Sequence, residues 1–184
     1  IWAENRKPAF EGRIDDALRP NQYYAIALGL LSDQPARSAV QAGFRYLLIP
    51  GAMRSLAPLP VDCLAPVYGK DPSLLNDPKN PYWPRYEGDE DTRRKPAYHN
   101  GTAWGFQMPP FCEAIVQAWP GDMIARQTAC AILRSTEYWM KQGCLRYIPE
   151  IMDGDYPHTP RGCDAQAWST CETLRVWKQI KLTS

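Results

Sequence analysis

The stretch PNQYYAIALGLLSDQPARSAVQAGFRYLL, residues 20–48, decides the fold class. Pro20 stands where the first turn of a helix tolerates proline, and apolar residues then recur at three- and four-residue intervals. The turn Ser32–Pro35 interrupts this pattern and opens a second run with the same spacing. The stretch therefore predicts two helices joined by a short turn.

Helical spacing returns three times in the second half of the chain. We expect helices over about Thr102–Trp119, over Asp122–Gly143 with Asp122 as the cap, and over Trp168–Ile180. No run of residues has a convincing two-residue period of a β-strand. The expected fold is therefore all-α, with five helices in antiparallel pairs, an arrangement that suits a helical toroid.

A proline-rich segment, residues 50–97, separates the two helical regions. Nine of the 18 prolines fall within it. A connection of this length is expected to be functional, as a wall or lid over a site. A mobile linker is the alternative, which four aromatic residues disfavour because such linkers are poor in aromatics: Tyr68, Tyr82, Trp83 and Tyr86.

Charge and hydropathy argue against two classes of partner. The chain has 21 basic and 20 acidic residues, a net charge of +1, and no run of four basic residues, so no nucleic-acid partner is expected. No apolar stretch approaches the roughly 20 residues that span a bilayer, so we expect no membrane insertion. A neutral, sugar-like ligand fits this composition better than a polyanion.

Cysteine and histidine usage argues against a metal. The six cysteines show no C-x-x-C spacing and favour reduced, partly buried thiols in a cytoplasmic protein, with three disulfides as the alternative. With two histidines and no cysteine at ligand spacing, no metal site is expected. Nucleotide-binding and serine-hydrolase motifs are missing from the sequence, so we expect no cofactor.

An acidic cluster is the first candidate for chemistry. Glu150, Asp153 and Asp155 lie within six residues of one another, in a chain rich in tryptophan and tyrosine. Carboxylates with aromatic neighbours are typical of sugar sites, where one carboxylate acts as a base toward water. The alternative is a solvated acidic turn.

A second cluster contains His99, Gly101 and Trp104. Gly101 permits close approach of the backbone to a ligand, and Trp104 offers a flat apolar face. The alternative is a helix start capped by Asn100 or Thr102.

Two further clusters are polar. Residues 13–22 include Asp16, Arg19 and Asn21, which could hold sugar hydroxyls, with a salt-bridged helix start as the commoner use of such residues. Residues 162–169, at the start of the last helix, form the fourth cluster of candidate site residues.

Taken in order, these clusters resemble the C-terminal catalytic region of glycogen debranching enzymes, the amylo-α-1,6-glucosidase family. Five motifs covering nearly the whole chain carry the resemblance: Arg19–Gln22, Arg54–Leu56, Tyr98–Trp104, Pro149–Gly154 and Gly162–Ser169. Each motif is weak alone, but five in the same order are hard to obtain by chance.

The resemblance implies an (α/α)6 toroid, of which residues 1–184 look like the C-terminal half. It implies hydrolysis, with inversion, of glucose stubs linked α-1,6 to glycogen or branched maltodextrin. Glu150 would be the general base, and the general acid would lie in the remainder of the polypeptide, N-terminal to Ile1.

The resemblance also implies a set of substrate-binding residues. These are Asp16, Arg19, Asn21, His99, Gly101, Thr102, Trp104, Asp153, Gln166 and Trp168. One departure is Gly105–Phe106, where relatives usually carry Pro-Trp, and it alters the wall of the pocket. The alternatives are another hydrolase on the same toroid, acting on a trehalose-like, glucoamylase-type or mannosyl substrate, and a non-catalytic carbohydrate-binding fragment.

Overall fold

A computed structural model describes Gly12 and residues 14–182 of the chain. Arg13, which opens one of the polar clusters, lies outside the described residues. The described part forms seven α-helices: α1 (Gln22–Ala27), α2 (Asp33–Ala42), α3 (Lys95–Tyr98), α4 (Met108–Ala118), α5 (Met123–Arg134), α6 (Thr136–Trp139) and α7 (Ala167–Leu182). Two π-helical turns, Gly43–Leu47 and Glu90–Arg94, and a 3₁₀ turn, Gly105–Gln107, extend α2, α3 and α4.

The helix-rich prediction is confirmed, since each of the five expected helices has a counterpart. Asp122 caps α5 as expected, and its carboxylate accepts hydrogen bonds from the backbone N–H groups of Ile124 at 2.7 Å and Ala125 at 3.3 Å. The expected helix over Asp122–Gly143 is divided at Ser135, whose hydroxyl accepts a hydrogen bond from the N–H of Gly51. This hydrogen bond connects the junction between α5 and α6 to the turn at Gly51.

The prediction of an all-α chain is wrong in one respect, because a small sheet is present. Five strands pair antiparallel in chain order: β1 (Leu48–Ile49), β2 (Ala52–Arg54), β3 (Ala103–Trp104), β4 (Ile151–Met152) and β5 (Pro160–Arg161). Each strand has only two or three residues, and β3 and β4 are buried on both faces. Alternation of polar and apolar residues, the signal of a strand, therefore cannot develop.

The core is built around α4. This helix is buried on nearly all sides and contacts α1, α2, α5 and α7. Phe111 of α4 packs edge-on against Tyr23 and Phe44, with ring centroids 4.8 and 5.1 Å apart. Helices from the first and the second half of the chain therefore share one core.

The sheet brings distant segments together. Met53 of β2 pairs with Trp104 of β3, and Trp104 pairs with Ile151 of β4. Glu150 directly precedes β4, and Ser55 directly follows β2. Side chains at these strand ends are consequently neighbours although they are far apart in sequence.

The proline-rich segment is not one uninterrupted loop. It contains β2 and ends in the helical stretch 90–98. Tyr82, in the remaining part, donates its hydroxyl proton to Asp155 at 2.7 Å and accepts a hydrogen bond from Arg54 at 3.0 Å. The segment is therefore fixed beside the hairpin of β4 and β5.

The six cysteines are free thiols. Cys112 is buried and two others are half-buried, whereas three are exposed, which differs from the expectation of partly buried thiols: Cys144, Cys163 and Cys171. No helix in the part of the chain that the structure describes is long and apolar enough to cross a membrane.

Candidate functional site

A cleft of about 550 Å³ opens where the starts of α1 and α7 meet the ends of β2 and α3. It is lined by Arg19, Pro20, Asn21, Ser55, Tyr98, His99, Trp104, Phe106, Gln107, Glu150, Gln166 and Trp168. Every one of the five sequence motifs contributes to this lining. A second cavity, of about 320 Å³, lies between α6 and α7 and is predominantly apolar. The cleft, where polar and aromatic groups converge, is the candidate site.

Glu150 is held in the cleft by hydrogen bonds to both carboxylate oxygens. Oε1 accepts a hydrogen bond from the hydroxyl of Tyr98 at 2.5 Å, and Oε2 accepts one from the backbone N–H of Cys163 at 3.0 Å. Gly162, at φ +68°, lies against the same carboxylate, and a Cβ there would collide with Oε2. The hairpin of β4 and β5 thus fixes the direction in which Glu150 points.

Aromatic rings form a continuous wall of the cleft. His99 stacks on Trp104 with an interplanar angle of 7°, and Phe106 meets Trp104 edge-on. Phe106 in turn stacks on Trp168, with centroids 4.0 Å apart. Trp104 is only 6% exposed but Trp168 is 48% exposed, so Trp168 has indole surface available to a ligand.

Arg19 ties the start of α1 to the loop after α3. Its guanidinium donates hydrogen bonds to the backbone oxygens of His99 at 2.5 Å and Ser55 at 3.1 Å, and to the side-chain oxygen of Asn100 at 2.8 Å. Burial lowers the pKa of Arg19 despite the nearby charge of Asp15. The predicted hydroxyl-binding arginine therefore uses three of its five N–H donors within the protein.

His99 favours its neutral form. Partial burial, and secondarily the positive charge of Arg19, lower the pKa of His99 below its ordinary value. A neutral imidazole keeps one donor and one acceptor nitrogen, which suits a sugar hydroxyl.

The structure brings seven of the predicted site residues to the cleft. These are Arg19, Asn21, His99, Trp104, Glu150, Gln166 and Trp168. Gln166 accepts a hydrogen bond from the indole N–H of Trp168, so these two side chains are positioned together.

Four other predicted residues, Asp16, Gly101, Thr102 and Asp153, do not line the cleft. The carboxylate of Asp16 accepts hydrogen bonds from the N–H groups of Asp62 at 2.8 Å and Cys63 at 2.9 Å, which lower its pKa. Asp16 therefore anchors the proline-rich segment to the chain ahead of α1.

Gly101 and Thr102 serve the packing of the chain itself. A Cβ at Gly101 would collide with the backbone of Trp83, so this glycine permits the close approach of another segment of the protein. Thr102 is fully buried, donates to the backbone oxygen of Tyr98 at 2.7 Å and accepts from the indole N–H of Trp104 at 3.2 Å. Both residues hold the loop that carries Tyr98 and Trp104.

Asp153 is fully buried in an ion-pair network behind the cleft. Its carboxylate accepts hydrogen bonds from Arg161, at 2.9 Å for the closest pair, and from the N–H of Tyr86 at 2.9 Å. Arg85 lies 3.6 Å away. Asp153 thus fastens the proline-rich segment to the hairpin that positions Glu150.

Five residues of the lining are outside the set of site residues predicted from the sequence: Pro20, Ser55, Tyr98, Phe106 and Gln107. Tyr98 lies in a motif that was singled out, but its relation to Glu150 depends on contacts across 52 positions of sequence. Phe106 does line the cleft, which agrees with the expectation that the departure at Gly105–Phe106 affects the wall of the pocket.

The described part of the chain contains no group of three or more His, Cys, Asp or Glu side chains that could hold a metal ion. Within residues 14–182, Glu150 is the one carboxylate that lines the cleft.

A family model described as amylo-alpha-1,6-glucosidase matches residues 7–175, a range that includes every residue of the cleft lining. No curated protein gives a significant match.

Proposed function

The chain belongs to the amylo-α-1,6-glucosidase family, and we propose that its cleft hydrolyses single glucose residues linked α-1,6 to an α-glucan such as glycogen or a branched maltodextrin. The observation that carries this proposal is the placement of Glu150. Its carboxylate lies at a cleft with an aromatic wall, with one donor on each oxygen. A carboxylate so oriented, with lone pairs left over, suits the activation of a water molecule.

Glu150 is the general base of the proposed reaction. It takes a proton from a water that attacks the anomeric carbon on the face opposite the leaving oxygen, which inverts the configuration. An inverting reaction also needs a carboxylic acid about 6.5–9.5 Å from the base, to protonate that leaving oxygen. The acid is proposed to come from the remainder of the polypeptide N-terminal to Ile1, within a complete (α/α)6 toroid.

The other cleft residues bind and orient the sugar. The exposed surface of Trp168 stacks on a pyranose ring, because the C–H faces of sugars pack well on flat aromatic rings. Asn21, His99 and Gln166 hold hydroxyl groups, and Trp104 forms the rigid wall behind them. Arg19 acts by holding the loop of His99 in place.

A second candidate function is hydrolysis of a different glucosidic linkage on the same toroid, of the trehalose or glucoamylase type. The observation that favours it is Phe106, which stacks on Trp168 in the cleft at a position where the family resemblance implies a tryptophan. Relative kcat/KM values on α-1,6-, α-1,4- and α-1,1-linked substrates distinguish the two functions.

The proposal is tested by Glu150→Gln in the full-length protein. This change keeps the shape and the hydrogen-bonded position of the side chain but removes the base, so turnover of branched maltodextrin is expected to fall by about 10²- to 10⁴-fold while binding persists. The matched control is Glu137→Gln, since Glu137 lies on α6 outside the cleft and its side chain is 60% exposed.

Two results would contradict the proposal. Near-normal turnover in Glu150→Gln would show that Glu150 is not the general base. A wild-type protein that binds maltodextrin without turning it over favours a non-catalytic carbohydrate-binding protein.

A further inference from the structure

The hydrogen bond from Tyr98 is the shorter of the two that the carboxylate of Glu150 accepts. At 2.5 Å between the two oxygens it lies at the short end of the range for a hydroxyl that donates to a charged carboxylate. The other oxygen of Glu150 has a longer bond, 3.0 Å, to a backbone N–H. Tyr98 is therefore the one side chain, among those that the structure describes, that is hydrogen-bonded to this carboxylate.

The ring of Tyr98 is fixed from several sides. Its centroid lies 4.9 Å from that of Trp104, 4.7 Å from that of His99 and 5.4 Å from that of Tyr86. The backbone oxygen of Tyr98 accepts hydrogen bonds from Thr102 and from the indole N–H of Trp104. The hydroxyl is consequently held at one position relative to Glu150.

Tyr98 also keeps its proton. Partial burial, and then the hydrogen bond to Glu150, raise the pKa of Tyr98 well above its ordinary value. Its hydroxyl is a permanent donor to the carboxylate through the range in which a glycosidase works.

We propose that Tyr98 is a positioning residue for Glu150: its hydroxyl occupies one lone pair of Oε1 and holds the carboxylate in the orientation in which it accepts a proton from water. The inference deepens the proposed function and rests on it, because it presumes that Glu150 is the base. Tyr98 acts through Glu150 and is not itself required to touch the reacting atoms.

The test is Tyr98→Phe in the full-length protein, with initial rates measured across pH. Loss of one hydrogen bond to a charged group is expected to lower kcat about 10- to 100-fold. KM should stay within about 3-fold of wild type, because the ring contacts that shape the cleft remain. A reduced kcat at an almost unchanged KM is the result that a merely structural role of Tyr98 would not produce.

Other titratable groups face this pair and bear on the pH profile. Tyr86 approaches from the proline-rich segment, Cys163 from the hairpin and His99 from the loop after α3. The matched control is therefore Tyr86→Phe, which keeps its ring against Tyr98 but removes a hydroxyl that does not bond to Glu150. It should leave both kcat and KM unchanged.

The outcomes separate this inference from the proposed function. If Glu150→Gln is inactive but Tyr98→Phe has wild-type kcat and pH profile, the positioning role is wrong and the base assignment stands. If Glu150→Gln is active, both fail. If Tyr98→Phe lowers kcat, raises KM and lowers thermal stability, and Tyr86→Phe has the same effects, Tyr98 is merely structural and the inference is overturned.

Discussion

Three carboxylates that look alike in the sequence have three different environments in the structure. Glu150 faces the cleft, Asp153 is fully buried between arginines, and Asp155 is half-exposed and bonded to Tyr82. Spacing alone could not separate them, because the groups that distinguish them come from the proline-rich segment and from α3. The resemblance singled out Glu150, and the structure supplies a physical reason for its difference from its neighbours.

His99 provides a test at the residue scale that needs no substrate. Because burial and Arg19 both disfavour its protonated form, His99 is expected to titrate below the ordinary histidine value of about 6.5. NMR titration of the imidazole C–H signals measures this directly. The chain has two histidines, so a His158→Gln variant assigns the spectrum.

The same shift predicts the sign of a pH effect on stability. Between the folded and the unfolded pKa of His99, the unfolded chain binds more protons, so the free energy of unfolding increases with pH across that window. Acidification below about 6.5 should therefore cost stability, until the folded-state pKa is passed. A signal of His99 that titrates at or above the ordinary value would show that the cleft does not have this electrostatic character.

At the scale of elements, periodicity predicted the helices and missed the strands. The apolar spacing of residues 20–48 and of α4, α5 and α7 is sustained over several turns, which is enough to define a helix. Strands of two or three residues carry no such pattern, and their existence depends on pairing with distant segments. The sheet that positions Glu150 is therefore a product of tertiary structure.

The hairpin of β4 and β5 depends on Asp153. Asp153→Asn removes the buried charge that Arg161 and Arg85 share and leaves Arg161 with only the half-exposed Glu87, and we expect the free energy of unfolding to decrease by about 3 kcal/mol. This value is at the lower end of the range for breaking a buried ion pair, because both arginine side chains are partly exposed and water can solvate their charges. Urea denaturation followed by tryptophan fluorescence measures the change.

The control for this change is Asp155→Asn. Asp155 is 48% exposed and lies on the same hairpin, and an asparagine can still accept the hydrogen bond from Tyr82. We expect a loss below about 1 kcal/mol, typical of an exposed ion pair. Equal destabilisation by the two changes would mean that the buried network does not hold the hairpin.

At the scale of the whole molecule, the cleft gathers residues from all five motifs, which span positions 19–169. The order of the motifs predicted the family, and the family is confirmed by the match over residues 7–175. Which motif residues line the cleft and which support it could not be predicted, because Gly101, Thr102 and Asp153 are distinguished only by what they contact in the folded chain.

The central claim is that Glu150 directs water at an α-linked glucose from the face opposite the leaving group. Its most direct test is the anomer of the first glucose released from a maltodextrin that carries a single α-1,6-linked glucose, followed by ¹H NMR before mutarotation. With the full-length protein we expect β-glucose first and, in Glu150→Gln, almost no glucose. Release of α-glucose first, or equal release by the variant, would contradict it.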